Sequence, residues 1–421
     1  MTTITESGTG VVAPRAVTPS RRHHAAFWIV GYTFAVTMAF SALPTPLYVL
    51  YQARDHFSTF MITVIFAAYA VGVVASLFLA GHLSDWVGRR RIVLLSVLVN
   101  MASGVLFLAW PATSGLIVAR VISGISIGML TATATAYISE LHSLGAPAPH
   151  SPRAARPGTG HARSEWVATA ANLGGIGLGP LLAGLLAQYA GHPLVIPYLV
   201  AEALMLAGAV GLALAPETAA VRRGADRPAY RPQRVSVPDA QRPRYFAATV
   251  AGAAVFALFG LFTSVAPSLL VDLLHNDSHA AAGAIAFAVF GAAALAQIVF
   301  GRVPRNYQVG LGLAAVLAGL GLVTASVWLP SFALLLIGGI VAGAGAGTAF
   351  RGLVATVISI TPAEVRGEGL AGLFLGSYLG LAIPVVGLGV ATLWVSMQVA
   401  VLGLAAVLTV VLLGVIRRVI A

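Results

Sequence analysis

Several residue groups in this chain have types and spacings that can do chemistry. Gly124-Ile125-Ser126-Ile127-Gly128 spells G-x-S-x-G, the turn that presents a nucleophilic serine in hydrolases. Gly343-Ala344-Gly345-Ala346-Gly347 has the glycine density of a phosphate-cradling loop. Arg120 and Glu202 are ionisable groups set in apolar sequence. Asp85 is followed closely by Arg89, Arg90 and Arg91. The chain has no cysteine, which excludes disulfides and thiolate metal sites, and its scattered histidines, His23 and His24 among them, show no metal-ligand spacing.

The elements around these residues decide between the readings. Hydrophobic residues make up 58% of the 421 positions and charged residues only 9%, with mean hydropathy +0.92. A soluble domain carries about 25% charged residues, so lipid must be the main solvent of this chain. A spanning helix needs about 20 mostly apolar residues. Such runs occur at 27–51, 59–80, 92–110, 115–139, 166–190 and 194–215, and again at 245–270, 280–300, 309–329, 332–360, 370–390 and 393–416. The G-x-S-x-G and the glycine cluster both fall inside these runs. A hydrolase elbow needs a strand–turn–helix setting, and the chain has no lysine to complete a phosphate loop. Hydrolysis and direct coupling to ATP are thereby excluded, and no polar cluster offers an intramembrane enzyme its catalytic groups. The first apolar run is too long for a signal peptide, so 1–25 reads as an uncleaved disordered tail.

All 24 basic residues are arginine. If the N-terminus is cytosolic, twenty-one fall in cytosolic segments and only Arg54 in an outer loop, with Arg120 and Arg351 inside spans. The net charge of +11 is then a topology signal that places both termini in the cytosol, and a nucleic-acid partner is not expected. The two halves also echo each other. Spans four and five resemble spans ten and eleven, and Gly301–Arg305 occupies the place that Gly81–Arg91 holds in the first half. The expected fold is all-α: twelve transmembrane helices in two six-helix bundles, 26–216 and 244–418, related by pseudo-two-fold symmetry and joined by a cytosolic linker, 217–243. Duplicated halves of this kind characterise secondary transporters.

The turn between spans two and three, with Gly81, Asp85, Gly88, Arg89, Arg90 and Arg91, resembles the signature loop of the major facilitator superfamily. The resemblance implies a conformational latch in which Asp85 meets the start of span eleven near Glu368. The counterpart Gly301–Arg305 lacks the aspartate and inherits no latch. In span four, Arg120, Gly124 and Gly128 are four apart and share a face, which turns Arg120 into the bundle. This is similar to the superfamily motif whose arginine is linked to proton coupling; a structural arginine bonded to backbone carbonyls is the plainer alternative. Gly175, Gly179, Pro180 and Gly184 resemble the exporter motif of drug:proton antiporters, with Ala183 standing in for one glycine and Trp166 for another. The plainer reading there is small-residue packing with a proline kink.

Glu202, near the middle of span six, is a default proton site. Glu140 ends span four and is expected to pair with loop arginines, and Pro216-Glu217-Thr218 resembles the superfamily's end-of-span-six motif. By the same resemblance spans one, four, seven and ten line the cavity. Tyr32, Phe40, Tyr48, Phe259, Phe262 and Thr263 would then form an aromatic, largely uncharged pocket suited to amphipathic molecules, cations included. The expected function is proton-coupled export of such molecules by alternating access. The expected protein is a monomer in the cytoplasmic membrane, with lipid, protons and a small-molecule substrate as partners and no cofactor beyond the proton gradient. Import of a small organic nutrient is the alternative, and a non-transporting receptor stands behind it.

Overall fold

The computed structural model describes residues 21–80, 87–145, 159–219, 237–362 and 365–420. Every regular element among them is helical, and twelve helical segments are long and apolar enough to cross a bilayer. The first span consists of α1 (Arg21–Ala42) and α2 (Tyr48–Asp55), with a 3-10 turn at Thr45–Leu47 between them. Pro44 and Pro46 sit in that join. Each removes a backbone donor and crowds the preceding turn, so the apolar run bends instead of continuing as one rod.

The first half continues with α3 (Thr59–Ala80), α4 (Arg89–Ala109) and α5 (Thr113–Gly145). Its fifth span joins α6 (Thr159–Thr169) to α7 (Gly175–Tyr189) through a π-helical turn at Ala170–Gly174, and α8 (Ile196–Ala213) closes the half. The second half holds α9 (Arg242–Ser264), α10 (Ala266–Asp272), α11 (His279–Val299), α12 (Arg305–Trp328), α13 (Phe332–Ile360), α14 (Arg366–Ala391) and α15 (Met397–Ile420). Helix α1 begins inside the stretch read as a tail, and α9 inside the stretch read as a linker. An apolar run marks only the part of a helix that lipid covers; polar residues at the interface extend it.

An even number of spans leaves both chain ends on one side. Most described arginines lie there, so it is called the arginine-rich end below. In the first half α5 is central, packed on α1, α3 and α4. Gly124 faces the Tyr69 carbonyl and Gly72 the Val121 carbonyl so closely that neither has room for a Cβ. In the second half α13 packs on α11 and α12, and α9 on α14 and α15. The two halves meet along two helix pairs, α3 with α14 and α7 with α11. That pairing leaves a space between the halves, lined by residues of α1, α3, α5, α6, α7, α9, α11, α13 and α14.

Candidate functional site

A cavity of about 530 Å³ occupies that space. The first half contributes Phe66 and Tyr69 from α3, Arg120 from α5 and Glu165 from α6. The second contributes Phe256 and Phe259 from α9, Arg351 from α13 and Tyr378 from α14. The wall extends along α13 to Ile358, two residues from the arginine-rich end of that helix. At the opposite end the halves are in close contact. Gly184 abuts the His279 carbonyl and Gly283 the Pro180 carbonyl, and the His279 backbone N–H donates to Gln188 Oε1 at 2.9 Å. Gly389 likewise abuts Thr63. The cavity is therefore shut at one end and extends towards the other.

Arg120 is only 2% exposed. The small face it shares with Gly124 and Gly128 lies against α3, which holds the guanidinium inside the bundle. One of its nitrogens donates to the Ser41 carbonyl. Its carbon stands 4.6 Å from the Tyr69 ring centroid and 5.7 Å from that of Phe66. Nε is buried with no partner. No described carboxylate pairs with this arginine, and the rings and one carbonyl hold it instead. Tyr69 also meets Tyr378 of the other half edge-on, at 6.5 Å between centroids. Arg120 is thus one residue removed from the contact between halves.

A single ion pair joins the halves among the described residues. Arg351 lies 3.1 Å from Glu165 Oε2, and both line the cavity. The sequence places Arg351 inside span ten and offers no signal for Glu165. The two are 186 residues apart, and spacing along one chain carries no signal for such a contact.

The arginine-rich end of the first half carries a polar network. The Arg89 backbone N–H donates to Glu217 Oε1 at 2.8 Å, and that of Arg90 to Oε2 at 3.2 Å. The carboxylate therefore caps the first turn of α4, where orphan donors and the helix dipole favour an anion. Gly88, with φ +108°, lies against it with no room for a side chain. Arg89 Nε lies 3.2 Å from Glu140 Oε1, whose other oxygen accepts from the Thr218 hydroxyl. Arg90 reaches the Ala215 carbonyl at 3.0 Å. Gly81 and Asp85 lie outside the described residues.

The expected pocket residues divide. Phe259 and Thr263 line the cavity. Tyr32, Phe40, Tyr48 and Phe262 do not. Tyr32 is on the outer face of the bundle, its hydroxyl donating to the Leu204 carbonyl. Phe40 packs against Phe107 and Tyr198, and Tyr48 lies beyond the proline break in the same cluster. Phe262 fills space against Gly339. Glu202 lies near Phe40 in the first half. Its Oε1 is buried without a partner, beside Gly104 and away from the cavity. The two residues linked by expectation to proton coupling, Arg120 and Glu202, are not in contact. Of the small face in span five, Gly175 and Gly179 pack on α1, whereas Pro180 and Gly184 pack on α11 of the other half.

Two bundles with a cavity between them are the architecture of a membrane carrier, and a family comparison agrees. The model for the Major Facilitator Superfamily matches residues 25–328. The chain belongs to that superfamily. It is a multi-pass membrane transporter, not an enzyme. The crystal structure of the human organic anion transporter MFSD10 (TETRAN) superposes with TM-score 0.67 at 17% identity, covering 94% of this chain and all of that one. The nucleoside transporter NupG, in a mutant form, superposes with TM-score 0.69 at 10% identity, covering 93% of this chain and 99% of that one. At these identities the likeness concerns the fold. The arabinose-proton symporter of Bacillus subtilis (strain 168) is 34% identical over 83 residues, 20% of this chain and 18% of the symporter. The match therefore spans under a fifth of that relative.

Proposed function

We propose that this superfamily member is a secondary active exporter of small amphipathic organic molecules, driven by protons and working by alternating access. The observation that carries the reading is the cavity wall. Phe66, Tyr69, Phe256, Phe259, Phe350 and Tyr378 surround a space of about 530 Å³, a size suited to a drug-sized molecule. The positive-inside bias would make the arginine-rich end cytosolic, so the cavity reaches towards the side from which an exporter loads. Pro180 and Gly184, the residues that resemble the exporter motif, lie at the seal on the far side. Arg120 stays charged at any physiological pH and so acts by tuning its surroundings. Glu202, half-buried with its Oε1 enclosed and without a hydrogen-bond partner, is the candidate to carry the proton.

The partial likeness to an arabinose-proton symporter favours a second reading, uptake of a small nutrient. Sugar sites need many free hydrogen-bonding groups; this wall carries two amides, Asn172 and Gln297, and the hydroxyls of Ser41, Thr131, Thr135 and Thr263 donate to carbonyls of their own helices. The experiment is a panel of amphipathic and sugar substrates assayed in inverted membrane vesicles with an imposed proton gradient. Substrate-triggered proton release and uphill accumulation of an aromatic amphipath inside those vesicles are expected. Gradient-driven movement of sugars alone, in the uptake direction, would replace export with symport.

A further inference from the structure

The cavity's charge identifies the kind of molecule that fits it. Three of its lining residues are charged: Arg120, Arg351 and Glu165. Glu165 is 3.1 Å from Arg351, so that pair neutralises itself towards the arginine-rich end. Arg120 is left over. It has five N–H donors, of which one nitrogen is used on the Ser41 carbonyl, and Nε is buried without a partner. No described acid answers its charge.

We infer that the missing counter-ion is the substrate, an organic anion with an aromatic body whose carboxylate or similar acid group binds Arg120 at the inner part of the cavity. Two facts argue against a cation. The rings nearest the deep site, Tyr69 and Phe66, already face the Arg120 guanidinium, at 4.6 and 5.7 Å from their centroids. A second cation placed there would meet a like charge in surroundings that screen it poorly. An acid group gains charge-assisted hydrogen bonds from donors that are otherwise unmet. The rings of the second half supply the apolar counterpart. Phe259 stacks on Phe290 at 4.8 Å and Phe256 lies 4.9 Å from Phe350, which forms a continuous wall for an aromatic body. The inference deepens the reading of this cavity as a transport site and rests on it. It also reverses the substrate charge that ring chemistry alone would favour.

The test is equilibrium binding to the full-length protein in phosphatidylcholine nanodiscs, with no gradient present. The probes are 2-naphthoate, 2-naphthamide, 2-naphthylmethylammonium and the aliphatic anion laurate. Naphthoate is expected to bind at least about tenfold tighter than its neutral and cationic partners. Arg120→Gln should abolish that preference, Arg120→Lys should keep part of it, and removal of the whole neutral pair in Glu165→Gln with Arg351→Gln should retain it. If Arg120→Gln does not fold, the wild-type ranking together with Arg120→Lys and the double variant still decides the matter. A cation preference, no charge preference, no binding of naphthoate, tighter binding of laurate, or a preference lost only in the double variant would each overturn the inference. Because binding is read without transport, an anion preference can stand even if the vesicle assay shows uptake, and failure of one does not imitate failure of the other.

Discussion

Arg120 and Tyr69 form a cation–π pair across α5 and α3, 4.6 Å from guanidinium carbon to ring centroid, in a protein interior where no described carboxylate meets the arginine. Tyr69 in turn touches Tyr378 of the other half. Whatever binds Arg120 thus acts on a residue that forms the contact between the bundles. An insertion cost of about 2.5–3.5 kcal/mol for an intramembrane arginine is retained here without an ion pair, which points to use rather than to stability.

Arg120→Ala is therefore expected to abolish uphill transport while leaving folded yield near that of the parent. Arg120→Lys should not fully restore it, since an ammonium lacks the planar fork and stacks poorly on Tyr69. The measurement is gradient-driven transport in proteoliposomes, normalised to folded protein. Normal uphill transport by well-folded Arg120→Ala would leave Arg120 with a packing role only.

The ion pair between Glu165 and Arg351 calls for a different outcome. Glu165 is largely exposed, so the pair contributes under about 1 kcal/mol to stability. Glu165→Gln should leave thermal stability unchanged but alter how long the halves stay apart at the arginine-rich end, and with it the turnover rate. The exchange Glu165→Arg with Arg351→Glu should recover most of the lost rate. A double exchange no better than either single variant would show that the contact does not couple the halves.

How much of this was legible in the sequence differs by feature. The twelve spans were legible because lipid imposes a length and a composition on every helix that crosses it. The inward turn of Arg120 was legible too, because Gly124 and Gly128 repeat at the helical period and mark the packed face. Position on span one points Tyr48 and Phe40 to the cavity, but the Pro44 and Pro46 break carries Tyr48 into the cluster that holds Phe40 and Tyr198. The partners Tyr69, Tyr378 and Glu165 were not legible. Which helices face each other across the cavity depends on how two bundles dock, and no periodicity within one helix encodes that.

The cap on α4 makes a stability prediction. Glu217 accepts from the backbone N–H groups of Arg89 and Arg90, and Gly88 precedes them at φ +108°. Glu217→Ala should cost about 0.5–2 kcal/mol, the range for a lost helix cap, read as a drop of a few degrees in detergent. Gly88→Ala should cost at least as much, because it adds strain at positive φ and a clash with the carboxylate. Unchanged melting in both variants would mean that the network is ornamental to folding.

The seal at the far end can be tested through its smallest residues. Gly184 abuts the His279 carbonyl and Gly283 the Pro180 carbonyl, so neither can carry a side chain while α7 and α11 stay in contact. Gly283→Leu should force the halves apart at that end and bias the protein towards the conformer open there. The chain has no cysteine, so single-cysteine labelling reads the change directly. A cysteine at Thr263, on the cavity wall, should react slowly with an impermeant maleimide from outside intact cells in the Gly283 parent and severalfold faster in the Gly283→Leu background. Cysteines at Ser143 and Asn276 serve as the orientation controls, with Asn276 labelled from outside and Ser143 only after the cells are opened. If Ser143 labels from outside, the arginine-rich end is not cytosolic and the direction of export falls with it. If both controls behave but Gly283→Leu leaves Thr263 labelling unchanged, the α7–α11 contact is not what shuts the cavity.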